Sequence, residues 1–178
     1  MHRTLLTLSG AAALLLAGCA AMGPPKPPVP MAAATQTAAA YVQAAGASDL
    51  YEIASSQAVL ESAKSADVRR FAQMMIEHHT MTTRDVMAAA KAAGMTPPPP
   101  APDTRKAAMV DQLRAAPAAE RERMYVMQQV TAHQEALALH SGYASNGDTP
   151  SLRAAASKAV PIVQQHLTEI QRINGGMS

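Results

Sequence analysis

The chain has 178 residues, of which 48% are hydrophobic and 3% aromatic, with no tryptophan, one phenylalanine and one cysteine. Its 15 Lys and Arg against 13 Asp and Glu give a net charge of +2, so there is no basic field of the kind that recruits nucleic acid. One thiol excludes disulfides within the chain, and a core so poor in rings must be made by close packing of Ala- and Met-rich helices.

The N-terminus begins with a short basic flank, Met1-His2-Arg3-Thr4, followed by an apolar stretch through Leu16. That pattern is a signal peptide, too short to span a membrane. It ends in Leu16-Ala17-Gly18-Cys19, which resembles the lipobox of bacterial lipoproteins. The resemblance implies removal of residues 1–18 and a diacylglyceryl group on Cys19, which would attach the protein to a membrane without spanning it. Ala20, where Asp would retain a lipoprotein at the inner membrane, implies by resemblance to Gram-negative sorting rules an outer-membrane lipoprotein, expected to face the periplasm. The alternative is an ordinary cleaved signal and a free secreted protein. With the lipid in place no thiol remains for catalysis. Residues 19–46 include Pro24-Pro25-Lys26-Pro27-Pro28-Val29-Pro30 and read as a tether that favours polyproline II. The bundle proper is placed at 47–174.

The spacing predicts a first helix from Ser48 to Lys64, with Leu50, Ile53, Gln57 and Leu60 as its inward stripe. A second begins near Asp67, with the stripe Val68, Ala72, Met75, His79, Thr82, Val86, Ala89 and Ala93, and ends at Gly94. Thr96-Pro97-Pro98-Pro99-Pro100 is a break, after which Asp103 caps a short helix reaching about Ala115. Pro117 suits the first position of the next helix, whose stripe is Val126, Val130, His133, Leu137, His140 and Ala144. Beyond the Asn146-Gly147-Asp148 turn, Thr149 caps and Pro150 opens the last helix. Its stripe is Leu152, Ala156, Ala159, Val163, His166, Ile170 and Ile173; Asn174-Gly175-Gly176 should stop it and Pro161 should bend it or loosen one turn. The fold class is therefore all-α, a four-helix bundle with a short extra helix in the connection between the helix pairs.

Three of these stripes carry a histidine, His79, His133 and His166, and Glu52 lies beside the fourth. Counting from a first turn near 65 or 66 puts Glu52 and His79 at one height, while His133 and His166 differ by roughly one turn about the 147 turn. Neutral imidazoles and a carboxylate converging in a low-dielectric core are plausible ligands for a transition metal such as zinc, copper or iron. They are a poor match to a di-iron oxidase, which uses Glu-x-x-His on two helices. The competing expectation is a purely structural polar network of the histidines, Glu52 and a trapped water that sets helix register. His78 reads as a rim residue, and His140 as packing near a bundle end. Met74, Met75 and Met81 read as core filling, although thioethers would suit copper(I).

The blocks Leu50-Tyr51-Glu52-Ile53, Phe71-Ala72-Gln73-Met74-Met75-Ile76-Glu77-His78-His79, Ala132 to Leu139 and Pro161 to Leu167 resemble an uncharacterised family of exported bacterial proteins known as domain of unknown function 4142. The resemblance spans about Ala44 to Ile173. It implies a ferritin-like bundle and an envelope location, maps the family's histidine positions onto His79, His133 and His166, and supplies no activity. Where the family commonly has an acidic residue before the helix histidine, this chain has His78. The Met-Met-Ile-x-His-His segment alone also looks like a second family of exported helical proteins linked to copper handling. The resulting expectation is a non-enzymatic, lipid-anchored bundle with a polar centre able to bind a transition metal or small ligand; the alternative is an envelope interaction or stress protein.

Overall fold

A computed structural model describes residues 36–177 of the protein. The segment expected to be a signal peptide, Cys19 and the run from Pro24 to Pro30 lie outside the described residues. Five helices follow in order: α1 (Ala38–Leu60), α2 (Ala66–Ala92), α3 (Thr104–Ala115), α4 (Ala118–Asn146) and α5 (Pro150–Gly176). Among the described residues there is no strand, only an isolated bridge between Gln36 and Gly147. None of these helices is long and apolar enough to cross a membrane.

Side-chain caps account for several of the boundaries. Thr37 Oγ1 accepts the amide of Ala40, Ser65 Oγ that of Val68 and Asp103 Oδ1 that of Lys106, which satisfies exposed donors at the starts of α1, α2 and α3. Gly94 takes φ +75° just beyond α2, the left-handed stop that a glycine reaches without steric cost. Thr149 occupies the N-cap position of α5 without accepting an amide; its hydroxyl donates to Asp148 instead. The glycine pair did not stop α5 at Asn174, since helix continues through Gly176. Pro161 lies within an uninterrupted α5 at an exposed position, and its ring has no amide to offer the Ser157 carbonyl.

The expected boundary between tether and bundle was too late. Helix begins at Ala38, ten residues before Ser48, because Tyr41, Val42 and Ala45 pack with Val86, Tyr143 and Leu152. Asp148 also accepts the Ala38 amide, at 3.2 Å, which ties the start of α1 to the α4–α5 turn. Gly147 is required in that turn because a Cβ there would stand 2.5 Å from the Tyr143 ring, and that ring stacks on Tyr41 with centroids 4.0 Å apart.

Cross-helix contacts give the topology. Ser56 meets Tyr125 while Tyr41 meets His140, so α1 and α4 run antiparallel. Asp67 meets Arg172 while Ala89 meets Ser151, so α2 and α5 do too. With the α1–α2 and α4–α5 hairpins, every neighbouring pair in the four-helix ring is antiparallel. It follows that α2 and α4 are parallel, and residues 93–117 must climb the full height of the bundle between them. α3 makes part of that climb, about 18 Å for its twelve residues, and packs over α1 and α4 through Val110, Tyr51 and Ala132. The proline run passes over α1 at Gly46, where an added Cβ would lie 2.9 Å from Pro100.

The stripe of α5 is buried at all seven predicted positions. That of α2 holds through Val86 and then drifts to Ala90, leaving Ala93 exposed, as a 3.5-residue repeat must on a 3.6-residue helix. On α4 the predicted stripe is buried at Val126, His133 and His140 and half-buried at Val130, Leu137 and Ala144, and the helix also buries Tyr125, Gln129, Ala132, Ala136 and Tyr143. The predicted stripe of α1 is wrong. Gln57 is exposed and Leu50, Ile53 and Leu60 are half-buried, whereas Tyr41, Ala45, Asp49, Glu52, Ser56 and Val59 face inward. Partners on neighbouring helices account for Asp49 and Ser56 on this polar inner face, and α3 takes up part of the apolar side of α1. The result is two apolar clusters, one around Phe71, Met75, Tyr125 and Ile170 and the other around Tyr41, Val86, Tyr143 and Leu152. A polar layer lies between them.

Candidate metal centre

The polar layer draws one histidine from each of three helices: His79 from α2, His133 from α4 and His166 from α5. All three are buried, and one ring nitrogen of each lies within 4.8 Å of those of the other two. Their rings meet in crossed or tilted pairs, with centroids 5.4 to 5.9 Å apart. The turn of offset expected between His133 and His166 does not keep them apart.

The outward nitrogen of each ring is committed. His79 Nδ1–H donates to Asp49 Oδ1 at 2.7 Å, and His133 Nδ1–H donates to the Gln129 carbonyl at 2.9 Å. His166 Nε2 shares a proton with His78 Nδ1 at 2.8 Å. What remains is His79 Nε2, His133 Nε2 and His166 Nδ1, three buried atoms with no hydrogen-bond partner from the protein. They belong to the three rings that converge. A ring held from outside by a carboxylate, a backbone carbonyl or another polar group, with its inner lone pair free, is the arrangement metal-binding histidines use to fix tautomer and orientation.

Glu52 does not join this close set. Its carboxylate is fully buried and neither oxygen has a hydrogen-bond partner, so the bond to the histidines expected of a structural network is not formed. The level partner of His79 is Asp49, because the α1–α2 turn centres near 63, which shifts the pairing by about one helical turn. Even so, the charge of Glu52 acts to raise His79 and His133.

Asp49 is the functional residue that the sequence reading missed. It is 3% exposed and accepts His79, Thr82 at 3.0 Å and Thr83 at 2.7 Å. Its i, i+3 spacing to Glu52 was the available signal, concealed by the mistaken stripe of α1. His78 is half-buried at the rim, as expected, but stacks on His166 as well as bonding to it. His140 lies outside the centre; its Nδ1 meets the Tyr41 hydroxyl at 3.0 Å. Met75 is a core residue and Met81 is not, being 45% exposed.

Electrostatics separate the imidazoles. Burial pulls His79 down, but the hydrogen bond and charge of Asp49, helped by Glu52, outweigh it and leave the ring above its ordinary value near 6.5. Burial holds His133 and His140 below that value. His166 falls to about 2 through burial and the neighbouring imidazoles. In metal-free protein the three depressed rings are neutral when folded, so the stability they contribute is complete above pH 6.5 and lost on acidification. His79 acts in the opposite sense, its contribution present below 6.5 and lost as pH rises through its raised value. Chelator-treated protein should therefore lose roughly 2 to 3 kcal/mol between pH 6.5 and 4.5 through His166 alone, at ~1.4 kcal/mol per unit. Urea titrations at the two pH values measure this; equal stability would show that protons reach the ring in the folded state.

Fold and site together define an all-helical bundle with a buried three-histidine centre. The chain belongs to the family described as Domain of unknown function (DUF4142), whose profile matches residues 24–173. Two solved structures share the fold. One is a DUF305 fragment from Deinococcus radiodurans, with a TM-score of 0.67 and 18% identity over 78% of this chain and 95% of that one. The other is CopM in the Cu(II)-bound form, with a TM-score of 0.67 and 12% identity over 81% of this chain and 99% of that one. At these identities the likeness is one of fold. No curated protein matches the chain in sequence.

Proposed function

We propose that His79, His133 and His166 bind one transition-metal ion, with Glu52 as the adjacent carboxylate, in a non-enzymatic bundle held to the outer membrane through lipid on Cys19 and facing the periplasm. The observation that carries the metal reading is the convergence of three buried imidazoles, each with one ring nitrogen that has no hydrogen-bond partner. Each unsatisfied buried polar group costs about 1–3 kcal/mol, a heavy load for a domain whose whole stability is about 5–15 kcal/mol. A cation accepting those lone pairs offsets that cost. Nitrogens bound to one zinc or copper ion at about 2.0–2.1 Å stand roughly 3 to 4 Å apart, so rings with a nitrogen each already within 4.8 Å need only small movements. Neutral imidazoles with one carboxylate suit zinc, copper or iron, with copper(II) strongest among first-row divalent ions. The Cu(II) carried by CopM, which shares the fold, is consistent with that chemistry. Asp49 has both oxygens engaged and leaves Glu52 as the one free carboxylate, too few for di-iron oxidase chemistry.

The structural-network reading draws on the bonds that His79, His133 and His166 make on their outer sides. The two readings part in one measurement. Protein purified without a histidine tag and exposed to copper or zinc should retain about one ion per chain, by elemental analysis after desalting, and a His79→Ala/His133→Ala/His166→Ala variant should retain none. Equal metal content in the two proteins would overturn the proposal and leave the histidines a packing role.

A further inference from the structure

The buried centre needs a path for an ion to reach it, and its walls differ sharply in exposure. Phe71, which presents its edge to His133 and His166, is 2% exposed, and Tyr125 and Gln129 on the α4 side are fully buried. Of the rings packed about the centre, His78 alone is half-exposed. On its outer side it lines a cleft of about 270 Å³ on the α2–α5 seam, together with Met81, Thr82, Arg84, Asp85 and Gln165. Two of these cleft residues are each linked by hydrogen bonds to a histidine of the centre: His78 bonds directly to His166, and Thr82 bonds to Asp49, which holds His79.

The same cleft carries an unusual donor pair. Met81 is one of two large apolar side chains that stand exposed among the described residues, and it lines the cleft together with His78. Arg84 balances Asp85, so the cleft does not concentrate cations by net charge. Uptake there depends on a thioether and on the His78 Nε2 lone pair, which is free when His78 Nδ1–H donates to His166 Nε2, a set that takes borderline and soft ions and ignores magnesium and calcium.

We propose that this cleft is the loading mouth of the centre, in which His78 and Met81 first take up a copper ion and His78, stacked on His166, passes it inward. The inference rests on the metal reading above. In the loaded protein the His166 Nδ1 lone pair is on the ion, so its Nε2–H donates to His78 Nδ1, and His78 returns to a positioning role.

The test separates rate from occupancy. Cu(II) is mixed with full-length protein and uptake followed by stopped-flow absorbance, with final stoichiometry measured on the same samples. His78→Gln keeps an acceptor for His166, and Met81→Leu exchanges one exposed apolar side chain for another, so the second variant folds even if the first does not. Both should still reach about one ion per chain, with uptake slowed about tenfold in His78→Gln and severalfold in Met81→Leu. Unchanged rates at unchanged occupancy would overturn the mouth and leave the metal reading intact. Loss of occupancy in His78→Gln would make His78 a resident ligand and also overturn the mouth, while a wild-type chain that takes up no ion would remove both readings.

Discussion

His79→Ala should cost the metal-free protein roughly 3–5 kcal/mol, the range for removing one partner of a buried charge pair. Asp49 is 3% exposed and accepts the His79 Nδ1–H at 2.7 Å. Without the imidazole, a carboxylate in the interior is left with two neutral hydroxyls, from Thr82 and Thr83, and no group to balance its charge. The fold cannot move Asp49 to water without unwinding the middle of α1. Most of the cost should disappear in the His79→Ala/Asp49→Asn double variant, whose remaining side chain is neutral, with a coupling of roughly 1–3 kcal/mol across the cycle. Denaturant titrations in chelator give all four values. A loss below about 1 kcal/mol in the single variant would show that the His79–Asp49 bond contributes little to the stability of the fold.

Glu52→Met is expected to act in the opposite direction. Glu52 is fully buried and neither of its oxygens is hydrogen-bonded, so with no metal present it contributes desolvation cost and little else. Methionine has similar length and no polar group to satisfy, and its flexible thioether adapts to the space. The chelator-treated variant should be more stable than wild type by roughly 1–4 kcal/mol. Its metal complex should be weaker by about tenfold or more, since the carboxylate next to the histidines is gone. Chemical denaturation with and without copper reads both effects. If Glu52→Met destabilises the metal-free chain, the carboxylate has a structural role that its missing partners do not reveal. A residue whose removal strengthens the empty fold and weakens the loaded one is kept for its ligand.

The sequence made three helices legible where apolar side chains alone decide burial. Leu152, Ala156, Ala159, Val163, Ile170 and Ile173 pack by shape, so their spacing sufficed to place His166 in the same stripe. It failed for α1, where burial is decided by partners on other helices. Nothing local marks Asp49 or Ser56 as interior; Asp49 is inside because of His79 and two threonines, and Ser56 because of Tyr125. The convergence of His79, His133 and His166 followed from their place on three stripes. The free inner nitrogens did not, because the bonds that occupy the outer ones come from Gln129, His78 and Asp49, and a single chain of letters does not pair those atoms.

The hairpin topology bears on how long an ion would stay. The α1–α2 hairpin supplies Asp49, Glu52 and His79, the α4–α5 hairpin supplies His133 and His166, and the crossover of 93–117 separates them. Each hairpin can assemble from contacts close in sequence, so the centre becomes complete only when the two halves dock. An ion held there spans the last interface to form and the first to open. Metal should accordingly slow unfolding while leaving the folding rate nearly unchanged, because its bonds are absent from a transition state built from separate hairpins.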